Sequence, residues 1–136
     1  MRFLFLIFFF ISSSVFGLSS AQEDQFQKCY DLATSTAKHR ACQDQEQELL
    51  ERELNLSVQR FRKTLLARQL NSAKEPIGQI QRFIAYERSW KNFRTATCEM
   101  EASANGQSSL AFMKCFIHFT KQHIEDIEKS RQLFLR

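Results

Sequence analysis

Four cysteines, Cys29, Cys42, Cys98 and Cys115, are the residues of this 136-residue chain best suited to do chemistry. No CxxC occurs and the nearest pair stands thirteen positions apart, a poor zinc signature. In an exported chain of this size they read instead as two disulfides, with three pairings open at this point. The histidines add little to a metal or catalytic reading. His118 and His123 lie five apart on one helix, about 140° around its axis, so they do not share a ligating face and read as surface or boundary residues. His39 reads as a capping or exposed residue at a helix start. Cys115 and His118 could bring a thiol beside a base, but no third orienting group accompanies them and the thiol is better used in a cross-link. No catalytic residue, metal or cofactor is expected.

The charged residues read mostly as solvated faces. Glu46, Glu48, Glu51 and Glu53, and later Glu125, Asp126 and Glu128, sit in helix-forming segments with basic neighbours. Glu48 with Arg52 and Glu87 with Lys91 are i, i+4 pairs of the kind that lace an exposed surface. Arg60, Arg62, Lys63 and Arg68 surround Phe61 and could form a basic face for an anionic glycan, though a solvated flank of a buried stripe explains them as well. One constellation is less ordinary: Trp90, Arg94 and Cys98 recur at successive helical turns, and Asn55 follows Leu54 inside an apolar stripe. An arginine one turn from a tryptophan predicts a buried hydrogen-bond network, with Glu51 as partner, that fixes helix register.

The elements that must position these residues are helices. Met1 and Arg2 precede an unbroken apolar run from Phe3 to Ile11, then small residues at Ser19 and Ala21, so residues 1–21 read as a secretory signal cleaved after Ala21. That run is too short to cross a bilayer, and no transmembrane segment is expected in the mature chain. Phe3, Phe5, Phe8, Phe9, Phe10 and Phe16 leave with the signal, out of 14 phenylalanines. Losing Arg2 lowers the formal charge from +4 to +3, too little to imply nucleic acid. Residues 22–136 suffice for one domain.

Only one proline and three glycines interrupt the chain, and no strand pattern appears. A first short helix is expected over 23–34, ended by Ser35-Thr36. A second follows over 38–71, burying Leu50, Leu54, Val58, Phe61, Leu65 and Leu70. Ser72, Glu75 and Pro76 predict the start of a third, which runs to Ala104 with Ile77, Ile80, Ile84, Trp90, Phe93 and Thr97 along one side. Asn105-Gly106 supplies a pair tolerant of positive φ, and a cap follows before a last helix over 109–134. The fold class is therefore all-α: a small antiparallel bundle of one short N-terminal helix and three longer ones. Cysteines thirteen residues apart on one straight helix would be about 20 Å apart, beyond the roughly 7 Å a disulfide allows. Cys29 and Cys42 flank Ser35-Thr36 almost symmetrically, as Cys98 and Cys115 flank the later turn, so they are expected to pair as neighbours.

The ordered residues Cys29, Cys42, Glu51 with Leu54-Asn55, Trp90 with Phe93-Arg94 and Cys98, then Cys115 and Thr120, resemble the lysozyme-inhibitor LprI-like N-terminal domain family of small exported bacterial domains. The resemblance spans Cys29 to Ile127. The chain departs from the pattern at Val58, where a tyrosine is usual, at Glu87, where glutamine is favoured, and at His123, where arginine is common. The resemblance implies a periplasmic or secreted, non-enzymatic protein whose partner is a lysozyme-type muramidase or another envelope protein. Such muramidases are usually strongly basic, so a domain at +3 needs local acidity at the contact. The candidate is the turn carrying Asn105, Gly106 and Ser108, with Glu99 and Glu101 just before it. The alternative is an interaction module using the face of Arg60, Arg62, Lys63 and Arg68.

Overall fold

Sparse helix breakers and apolar residues at steps of three and four produce four α-helices in the computed structural model, which describes residues 20–71 and 78–136. They are α1 (Ser20–Leu32), α2 (Thr36–Asn71), α3 (Gly78–Ala104) and α4 (Ser109–Leu135). The fold is all-α, with no strand among the described residues. Residues 1–19 and the cap expected from Ser72, Glu75 and Pro76 lie outside the described residues, as does Ile77.

Each long helix buries one stripe. In α2 it runs through Cys42, Gln43, Glu46, Leu50, Leu54, Ser57, Phe61 and Leu65. Leu70, expected at the end of that stripe, is 78% exposed. In α3 the inward residues are Phe83, Glu87, Arg94, Cys98 and Ala102. Phe93 was expected on this side but is 55% exposed, because turning Arg94 inward rotates its neighbour about 100° away.

Consecutive helices run antiparallel, which leaves α2 and α4 parallel. Arg40 hydrogen-bonds Ser109 at one end, and Phe61 meets Phe134 edge-on at 5.4 Å toward the other. Between them Leu50, Leu54, Phe61 and Leu65 of α2 pack with Phe83 of α3 and Ile117, Ile124 and Ile127 of α4. Leu50 and Leu54 are at most 1% exposed. Each such side chain contributes about 1.5–3 kcal/mol on burial, so the three-helix layer is the main source of stability.

The two turns are short and tied. Ser35 opens α2, its Oγ accepting from Lys38 N at 3.3 Å, and Cys29–Cys42 joins α1 to α2 with Cα atoms 5.9 Å apart. Between α3 and α4, Gly106 (φ 69°) and Gln107 (φ 64°) take the left-handed conformation, one residue later than the Asn105-Gly106 pair expected. Asn105 instead prolongs the helical hydrogen bonding, its N donating to Glu101 O. Gln107 N and Ser108 N both donate to Ala102 O, and Ser108 Oγ caps α4 by accepting from Ala111 N. Cys98–Cys115, with Cα atoms 5.5 Å apart, clamps this hairpin and packs with Phe116 in a second small core.

Candidate functional site

Polar residues at inward positions build a chain of buried interactions along the α2–α4 seam. Arg94, 4% exposed, donates from Nη1 to Glu51 Oε1 and to Thr120 Oγ1, both at 2.7 Å. Thr120 in turn donates to Phe116 O at 2.7 Å. The guanidinium lies 3.6 Å from the Phe116 ring centroid and 4.8 Å from that of Trp90. Burial pulls the Arg94 pKa down against the opposing pull of Glu51 and Glu87. The network expected from the Trp90–Arg94 spacing is present and reaches Glu51, whereas Asn55 is exposed and stands outside it.

Three carboxylates and one histidine assigned to the surface are buried. Glu46, 3% exposed, accepts from Tyr30 Oη at 2.6 Å and pairs with Lys121 Nζ at 2.6 Å. Burial and then this carboxylate push the Tyr30 phenol above its ordinary pKa. Glu128 binds Arg60 and Arg131. Burial pushes its carboxyl up, but hydrogen bonds from Arg131, Arg60 and Ser57 outweigh that and hold it below the ordinary carboxylate range. His123, 2% exposed, stacks on Trp90 with centroids 3.7 Å apart, and its Nε2 stands 2.9 Å from Glu87 Oε1. Glu87 therefore turns into the bundle rather than pairing with Lys91 across its surface. The missed signal was position: Glu46 and Glu87 fall in line with the apolar stripes of their helices.

The basic face expected around Phe61 is divided. Arg60 is committed to Glu128 and Ser57, while Arg68 lies over Phe134 at 5.1 Å. Arg62 and Lys63 remain exposed beside a groove of about 260 Å³ lined also by Leu66 and Ile80.

The α3–α4 turn has the opposite character. Glu99, Glu101, Asn105 and Gly106 are exposed, Ser108 is half-buried, and Met100 between the two acids is 69% exposed. Sequence reasoning overlooked Met100, an apolar knob flanked by acids. The Cys98–Cys115 bond and the convergent hydrogen bonds to Ala102 O hold the end of α3 and the turn after it in one shape. Among the described residues no group of three His, Cys, Asp or Glu side chains is placed to hold a metal ion.

The order of the cysteines, the Glu51–Arg94–Thr120 network and the helical frame meet in one comparison. The family model described as Lysozyme inhibitor LprI matches residues 29–127. The chain belongs to the lysozyme inhibitor LprI family. No curated protein and no solved structure matches it. The span matched by the LprI model holds both disulfides and the whole Arg94 network. Glu87 and His123, both inside the matched span, touch each other within the core. As in secreted helical domains generally, two disulfides assign folding of this LprI member to an oxidising compartment. No helix among the described residues is long and apolar enough to cross a membrane.

Proposed function

We propose that the protein is exported by cleavage of residues 1–21 and acts without catalysis, inhibiting a lysozyme-type muramidase through the α3–α4 turn. The observation that carries this reading is the pairing of family membership with a rigid acidic end of α3: Glu99, Met100 and Glu101 stand exposed on its last turns, just before the disulfide-clamped α3–α4 turn. A muramidase cleft accepts a glycan strand and carries cationic surface around its catalytic carboxylates. A preformed helix face with an exposed apolar side chain and flanking acids can dock against such a cleft with little ordering cost. The internal Arg94 network contributes rigidity, since its groups are bonded to one another and face inward.

The test is a muramidase turnover assay on peptidoglycan with the oxidised mature domain at about 150 mM salt, where the Debye length is about 8 Å. Inhibition is expected, and Glu99→Lys with Glu101→Lys should weaken it by about tenfold or more, roughly 1.4 kcal/mol. Absence of inhibition at high micromolar concentration, or full inhibition by the double variant, overturns the assignment to this turn.

A further inference from the structure

A cavity of about 430 Å³ opens where the α1–α2 hairpin meets the first half of α4. Its size falls in the range of small-ligand sites, and its lining is mixed in the way such sites are. Ile117 and the Tyr30 ring, which stacks near His39 at 6.1 Å, supply apolar surface. Glu46 is already neutralised by Lys121 and bonded by Tyr30, which fixes these three groups in place. The cavity thus keeps one unmatched fixed positive charge, Lys114, together with the imidazoles of His39 and His118 as further polar groups. Gln43 lines the same cavity at 8% exposure. Its Nε2 donates to Leu110 O, while its buried Oε1 has no hydrogen-bond partner. A buried acceptor without a donor is costly, and a ligand N–H would relieve that cost once the Gln43 amide turns its oxygen into the cavity.

We propose that this cavity binds a small carboxylate with a neighbouring amide N–H and a compact apolar group. The carboxylate would sit at Lys114 and His118, the N–H would turn toward Gln43, and the apolar group would lie on Ile117. Two kinds of molecule share that chemistry, an N-acetylated acidic sugar and an N-acylated amino acid. The site is separate from the acidic turn, so it stands or falls independently of muramidase inhibition.

The experiment is calorimetric and NMR titration of the oxidised mature domain with N-acetylmuramic acid, N-acetylalanine and neutral N-acetylglucosamine. Binding of either acid with a dissociation constant of about 1 mM or tighter supports the site, and their ratio identifies the source. Lys114→Gln and His118→Gln, both at exposed positions, should each weaken that binding several-fold while leaving the far-ultraviolet spectrum and melting temperature unchanged. Equal binding of the neutral sugar, no binding of either acid, or acid binding indifferent to both substitutions overturns it.

Discussion

Arg94 shows how one side chain can serve packing and polarity together. Its guanidinium is stacked between aromatic faces and hydrogen-bonded to residues of both neighbouring long helices. Replacing it with methionine retains bulk but strands Glu51 and leaves Thr120 with its bond to Phe116 O alone. Breaking a buried pair costs about 3–5 kcal/mol, and Glu51, at 30% side-chain exposure, regains some water, so Arg94→Met should cost about 3 kcal/mol in urea unfolding. Glu128 makes a prediction in pH. Its folded pKa is depressed by Arg131, Arg60 and Ser57 in spite of burial, so it adds stability above the ordinary glutamate value near 4.5 and loses it as pH falls through the folded value. Unfolding measured at neutral pH and again well below pH 4 should show the gap between the native chain and Glu128→Gln shrinking on acidification. A constant gap would mean that Glu128 is held by packing alone.

At the level of elements, the α3–α4 hairpin is the part whose rigidity the proposed function requires. Cys98–Cys115 closes a loop of about the length for which chain entropy gives about 3 kcal/mol. Replacing both cysteines with alanine should lower stability by an amount of that order and weaken muramidase inhibition. The equivalent change at Cys29 and Cys42 should lower stability and weaken inhibition less, because that bond ties α1 to α2 and leaves the α3–α4 clamp in place. Inhibition assays on both double variants decide the point. Gly106, at φ 69°, has open space where a Cβ would stand, so Gly106→Ala isolates backbone strain. It should cost about 1 kcal/mol, read from a thermal shift. The turn was legible in the sequence as Asn105-Gly106 before a serine, but the shift of positive φ to Gly106 and Gln107 was not. Asn105 takes part in the last helical hydrogen bonds, a choice that depends on where α4 must begin.

For the whole molecule, charge and topology point in different directions. Without residues 1–21 the net charge falls from the full chain's +4 to +3, which repels a basic partner at long range, while the acidic end of α3 attracts one at contact. At about 10 mM salt the Debye length is about 30 Å and the net charge is felt, whereas near 150 mM only the contact survives. Association with a basic muramidase should therefore be faster at about 150 mM than at about 10 mM salt, measured by stopped-flow; steadily falling rates would show that the acidic turn dominates at all distances.

Periodicity, turn residues and cysteine symmetry were enough to determine four helices, their order and the approximate places where the chain reverses, because each depends on near neighbours along the chain. The inward place of Arg94 was legible for the same reason, as a polar residue one turn from Trp90 on an inward line, while its partner Glu51 lies on another helix. Only the tertiary structure decided that α2 packs chiefly against α4 and that Glu46, Glu87, His123 and Glu128 point inward. A carboxylate on an amphipathic helix has the same local signature whether it meets water or a buried cation. The energy difference between those outcomes comes from a partner 36 or more residues away, which spacing within one helix does not encode.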